Sequence, residues 1–132
     1  MSVNLCLTSR IAVDRRNQMP EAPIVTGVAA SRGVVAGPVR LVRGVDDFDV
    51  VEPGDVIVCR VTDPSWTALF GVAAAVVTET GGILSHAAIV AREFGIPAVV
   101  AAEGAMETLA NHRNISVDGT KGHVHAARST HH

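Results

Sequence analysis

The apolar and polar positions change texture near residue 24. Residues 1–22 mix polar and charged types, show no sustained period and run out at Pro20 and Pro23, so they read as a mobile arm. From Ile24 onward, Val-rich runs alternate with Gly. Val34 to Val42 is interrupted by Gly37-Pro38, which predicts a bent or edge strand. Asp46 to Asp49 reads as an acidic loop and Pro53-Gly54 as a turn. Val56-Ile57-Val58-Cys59 is a short apolar run of the kind buried on both faces. Pro64 opens a short helix with Asp63 as its cap. Ala73 to Val77 is a second apolar strand, and Gly81-Gly82 breaks the chain after it.

Ser85 to Phe94 predicts a helix that stops at Gly95, with Pro97 two residues beyond. Ala98-Val99-Val100 is a third strand and Ala105 to Ala110 a further short helix. Ile115 to Val117, the turn Asp118-Gly119 and Val124 close the chain as a hairpin. The order is β-rich, then strand–helix–strand, then β again. It predicts one layered α/β domain over residues 23–127, with 128–132 as a tail.

Composition narrows the function. Hydrophobic residues make up 48% and charged ones 18%, which excludes a disordered chain. Eleven basic residues against thirteen acidic give a net charge of −2, Lys121 is the only lysine, and aromatics are 3% with no Tyr. Neither a basic footprint nor a base-stacking platform is available, so nucleic acid is not an expected partner. No apolar run reaches the roughly 20 residues of a membrane helix, and the first ten residues are too polar for a signal-peptide core. Cys6 and Cys59 make no disulfide framework. These features fit a soluble cytoplasmic protein.

The chemistry concentrates in Thr80-Gly81-Gly82-Ile83-Leu84-Ser85-His86-Ala87-Ala88-Ile89. A Gly pair leads to a Ser that can cap a helix, then to a His in the first turn. Ala87, Val90, Ala91 and Phe94 form one apolar stripe, and His86 lies about a quarter turn from its centre, on the flank where a cleft edge would run. The first amides of a helix lack intrahelical partners and its dipole makes that end positive, so it receives phosphate and disfavours a cationic imidazolium. The Gly pair lets backbone approach an anion closely. Such a His suits the carriage of a phosphoryl group. The same pattern also fits a His that only hydrogen-bonds its own helix start.

The run Gly81-Gly82-Ile83-Leu84-Ser85-His86-Ala87-Ala88-Ile89-Val90-Ala91-Arg92-Glu93-Phe94-Gly95-Ile96-Pro97-Ala98-Val99-Val100 closely resembles the phosphohistidine signature of the phosphoenolpyruvate-utilising enzymes. That family includes phosphoenolpyruvate synthase, pyruvate phosphate dikinase, enzyme I of the sugar phosphotransferase system and rifampicin phosphotransferase. Supporting matches are Ser31-Arg32-Gly33 to Gly37, Pro53-Gly54-Asp55-Val56, Thr62 to Thr67 and Val117-Asp118-Gly119-Thr120. The resemblance spans residues 24 to 127. It implies the swivelling β/β/α domain, with His86 phosphorylated on Nε2 as the domain turns between a charging and a discharging site. By similarity to enzyme I, Thr67 in Pro64-Ser65-Trp66-Thr67 is the candidate partner of the imidazole; an ordinary helix residue is the alternative.

The resemblance also marks what the chain lacks. It has neither a Gly-rich nucleotide loop nor room for a barrel of about 250 residues. The expectation is a phosphocarrier whose His86 accepts phosphoryl from an ATP- or phosphoenolpyruvate-dependent partner, nucleotide-binding (ATP-grasp-like) or phosphoenolpyruvate-binding, and passes it on. Gly81, Gly82 and Ser85 would shape the anion pocket. No cofactor is expected on this domain; magnesium would sit at partner sites, since no acidic cluster here can hold it. The alternative is a docking or regulatory module that keeps the fold without turnover. His123 and His125 would share one strand face, and with His131 and His132 read as strand and tail histidines rather than a metal site. Trp66 reads as a packing anchor and Arg92 as a solvated surface charge.

Overall fold

The computed structural model describes residues 22–127. The predicted arm up to residue 21, the tail 128–132, Cys6, His131 and His132 lie outside the described residues. Eight strands are present: β1 (Val25–Thr26), β2 (Val28–Ser31), β3 (Val34–Leu41), β4 (Val56–Cys59), β5 (Ala75–Thr78), β6 (Ala98–Val100), β7 (Asn114–Asp118) and β8 (His123–Ala126). Three short α-helices accompany them: α1 (Thr67–Phe70), α2 (His86–Phe94) and α3 (Ala105–Leu109). The strand order is β1-β8-β7-β3-β4-β5-β6-β2. β1 and β2 stand at opposite ends of that order, yet only Gly27 separates them. The sheet therefore curls until its two ends meet at Gly27.

Two cores follow from the period of two along the central strands. Val56 and Val58 of β4, Ala75 and Val77 of β5 and Val99 of β6 point into the curl, where they meet Leu109, Ile115, Val117 and Val124. Ile57, Cys59, Val76, Ala98 and Val100 point the other way, onto Trp66, Phe70 and the inner face of α2. That is why these strands read as continuous apolar runs. The result is a β/β/α stack, the swivelling-domain architecture expected from the sequence. Burying side chains such as Phe70, Ile57 and Leu109, each under 2% exposed, contributes about 2 kcal/mol apiece. Cys59 is fully buried, and burial pushes its thiol up to about 12.

β3 decides between the two alternatives, a bent strand or an edge strand. The strand bends at Gly37-Pro38 as predicted, but it is interior rather than an edge. Val34 to Pro38 pair antiparallel with β7, and Val39 to Leu41 pair parallel with β4. The bend is where the strand changes partners, so the proline sits at a corner of the ladder and not in its middle. At the start of β4, the buried Asp55 carboxylate accepts from Arg40 Nε and from the Glu52 amide, both at 2.8 Å, and ties β3 to β4. The predicted acidic loop is a 3-10 helix over Val45–Val50, and its Phe48 packs edge-on against Trp66 with ring centroids 5.2 Å apart. Trp66 is the packing anchor expected of it.

The curl closes through backbone contact. A Cβ on Gly119 would come within 1.9 Å of the Ser31 carbonyl oxygen, whereas one on Gly44 would meet nothing within 4 Å. Gly119→Ala is therefore expected to cost about 2–3 kcal/mol and lower Tm by roughly 10 °C. Gly44→Ala, in extended backbone, should leave Tm within a degree or two on the same scale. Thermal unfolding followed by circular dichroism reads both, and equal Tm values would show that the seam does not need a bare backbone.

Candidate functional site

The strands β3, β4, β5 and β6 run parallel to one another, so the chain leaves β4 and β5 at the same edge of the sheet. In open parallel sheets the crevice outside the carboxyl ends of strands is where ligands bind. After β4 the chain runs through Thr62 into the turn Pro64–Trp66 and α1; after β5 it runs through Gly81-Gly82 into α2. The two exits are adjacent because β4 and β5 are adjacent.

Local chemistry shapes each exit. Asp63 caps the first: its Oδ1 accepts from the Ser65 amide at 2.8 Å and from the Ser65 hydroxyl. The Ser65 hydroxyl bond, then the amide, hold the Asp63 carboxyl below the usual carboxylate range. Ser85 caps the second. Its hydroxyl donates to the Gly82 carbonyl at 2.7 Å and accepts from the Ala88 amide at 3.4 Å. Gly81 has φ +107, and a Cβ there would stand 2.9 Å from Ser85 Oγ, so glycine is required twice over. α2 ends at Gly95 in the left-handed conformation, as its stop signals predict.

His86 is the first residue of α2 and is half-buried on the flank of the helix. Its Nδ1 lies 2.8 Å from Thr62 Oγ1, and Phe70 stands edge-on to the ring at 6.0 Å between centroids. With Nδ1 engaged, Nε2 is the ring nitrogen that makes no hydrogen bond among the described residues. Ala87, Ala88, Val90 and Ala91 are buried; Phe94, predicted on the same stripe, is 43% exposed.

The expected partner of the imidazole was Thr67, and here the structure differs. Thr67 Oγ1 donates to the Pro64 carbonyl at 2.9 Å, within its own turn. Thr62, five residues earlier, reaches the ring instead. Its signal was present: it is a polar residue just after a fully buried strand and just before the Asp63-Pro64 cap. Arg92 is exposed, as expected of a surface charge, but its guanidinium is not free. Nη1 donates to the Ala30 carbonyl and Nη2 to the Ile83 carbonyl, each at 2.7 Å. Gly81, Gly82, Ser85 and His86 lie together as one loop and helix start. A cavity of about 600 Å³ lined by Ala30, Ser31, Arg32, Arg92, Gly95 and Thr120 is at the far end of α2 and includes none of them. His123 and His125 do share a face, 5.9 Å between centroids. Among the described residues no three metal-ligating side chains gather, and no helix is long and apolar enough to cross a membrane.

Comparison with known proteins decides the family. Residues 51–122, more than half of the chain, match the family model described as PEP-utilising enzyme, mobile domain. The chain belongs to the PEP-utilising enzyme mobile-domain family. Among its relatives is the uncharacterized phosphotransferase YvkC of Bacillus subtilis (strain 168), 51% identical over 100 residues, which are 76% of this chain and 12% of that protein. Rifampicin phosphotransferase of the same organism is 42% identical over 110 residues, 83% of this chain and again 12% of the relative. The uncharacterized protein Rv2047c of Mycobacterium tuberculosis is 50% identical over 99 residues, 75% of this chain and 12% of its own length. A solved structure titled as the Enzyme I (nEIt) protein has a TM-score of 0.49 and 32% identity, covering 61% of this chain and 33% of that one. This chain spans about 12% of the length of these three relatives, and so matches one part of each larger protein.

The two threonines make separable predictions. Thr62→Val should shift the His86 ring ¹H–¹³C resonances and cost about 1 kcal/mol for the lost hydrogen bond. Thr67→Val should leave those resonances in place. The opposite pattern would return the pairing to Thr67.

Proposed function

We propose that this domain carries a phosphoryl group on His86 Nε2 between two sites on partner domains or proteins. The observation that carries the reading is the Thr62 Oγ1 contact on Nδ1 at the start of a helix that opens with a Gly pair. Thr62 fixes the ring, and with the proton on Nδ1 the lone pair of Nε2 is the nucleophile. In the first transfer Nε2 forms a bond to phosphorus. The donor's P–O bond breaks, and its oxygen leaves with the electron pair. In the second, an acceptor oxygen attacks the same phosphorus and the N–P bond returns its pair to Nε2. The amides at the start of α2 stabilise the transferred group, with Gly81, Gly82 and Ser85 giving the loop its shape.

Family membership among phosphotransferases supports this reading, as does the incomplete nature of the domain alone. Ile83 and Leu84, beside His86, are 56% and 80% exposed. An apolar rim of this kind suits brief docking onto a partner domain and release from it. The donor is an ATP- or phosphoenolpyruvate-dependent site on a partner protein or domain, and magnesium belongs to that site.

Supplied with ATP or phosphoenolpyruvate and the donor domains of a related phosphotransferase, the chain should gain one phosphoryl group. The label should be labile in acid and stable in base, as a phosphoramidate is. His86→Ala and His86→Asn should abolish it with the fold intact, while His123→Ala and His125→Ala label normally. Intact-mass measurement and peptide mapping at alkaline pH check this. A label that survives in His86→Ala would refute the assignment, and a wild type that a competent donor leaves unlabelled would favour a docking module without turnover.

A further inference from the structure

Two backbone carbonyls near the site are left without partners in their own elements. One belongs to Ala30. The β2–β6 ladder slips register between Ala29 and Ser31, so Ala30 is the bulged residue, and it is buried. A bulge leaves its extra residue outside the pairing, and a buried carbonyl needs a donor from somewhere. The other belongs to Ile83, in the loop between the Gly pair and Ser85. One guanidinium serves both: Arg92 Nη1 donates to Ala30 and Nη2 to Ile83, each at 2.7 Å. Arg92 thereby ties the loop that precedes His86 to an edge strand distant in sequence.

The orientation of the loop follows. Among the described residues every peptide bond is trans, so each C=O points opposite to the N–H of the next residue. The Gly82 carbonyl is held by Ser85, through both its amide and its hydroxyl. The Ile83 carbonyl is held by Arg92. The amides of Ile83 and Leu84 are therefore both turned away from those donors. With the Gly82 and Ile83 carbonyls engaged, the Ile83 and Leu84 amides are donors that the loop keeps free of its own carbonyls.

Building on the phosphocarrier reading, we infer that Arg92 is a positioning residue: by clamping the Ile83 carbonyl to the β2 bulge it fixes the Ile83 and Leu84 amides as donors for the phosphoryl group on His86. It acts through the loop and need not touch phosphate. A planar fork reaching two carbonyls at once is suited to this, and a lysine, with one point charge, replaces it only in part.

The test uses the full chain and inorganic phosphoramidate, a small donor that needs no partner domain. Nε2 forms the new N–P bond while the P–N bond of phosphoramidate breaks and ammonia leaves. Labelling of His86 is followed by peptide mass spectrometry, and the Ile83 and Leu84 amides by ¹⁵N relaxation. In wild type those amides should be rigid, with order parameters near ~0.85, and in Arg92→Gln they should fall below ~0.6. Arg92→Gln should slow His86 labelling about tenfold, less than the loss from deleting a direct donor, and Arg92→Lys should fall between. Leu109→Ala, in the other core, lowers stability without touching the loop and should label at the wild-type rate. Unchanged order parameters in Arg92→Gln would overturn the inference. So would a mobile loop with unchanged labelling, or equal slowing in Leu109→Ala. A wild type that takes no label on His86 removes the phosphocarrier reading itself, and the role of Arg92 with it.

Discussion

The 2.8 Å contact between Thr62 Oγ1 and His86 Nδ1 is the constraint on which the site depends. It joins two segments that leave neighbouring parallel strands, and only a sheet with β4 beside β5 brings them together. It also divides the work of the imidazole. One nitrogen is committed to the protein, and the other is left for the reaction. On the phosphocarrier reading proposed above, a hydroxyl that fixes ring orientation is worth more than its own hydrogen-bond energy, because it decides which nitrogen meets phosphorus.

Around that contact the fold supplies rigidity on one side and backbone donors on the other. The apolar strands bury both faces, so the exits of β4 and β5 hang from a frame with little freedom. Ser85, Gly81 and Arg92 then shape the loop: a cap, a left-handed turn and a clamp. Each is a backbone device, which suits the proposed carriage of an anion that is bound in one state and absent in another. The exposed Ile83 and Leu84 are consistent with a surface covered only part of the time.

Much of this was legible in the sequence because its signals are local. The Ser85 cap, the Gly95 stop and the Asp63-Pro64 start each depend on neighbours in the chain, and each fell where the spacing put it. The doubly buried strands were readable from apolar runs too short for helices. What was not legible is non-local. Gly37-Pro38 leaves β3 as either a bent or an edge strand; its change of partners from β7 to β4 depends on strands far along the chain. The β2 bulge, and hence a carbonyl for Arg92, has no local signature. A helical wheel gave the direction of Arg92 from the axis but not the reach of its side chain, which bends back to Ile83. Thr67 drew attention through a local match, whereas the hydroxyl that meets the ring is set by where the chain leaves β4.

The central claim is that Thr62 commits Nδ1 and leaves Nε2 as the nucleophile. Long-range ¹H–¹⁵N correlation of the His86 imidazole tests it directly, since the two ring nitrogens give distinct patterns in each tautomer. The account predicts that the neutral form of the wild-type ring carries its proton on Nδ1, that this preference is lost in Thr62→Val, and that phosphorus is attached to Nε2 after labelling. A ring protonated on Nε2 in wild type, or a phosphoryl group found on Nδ1, would contradict it.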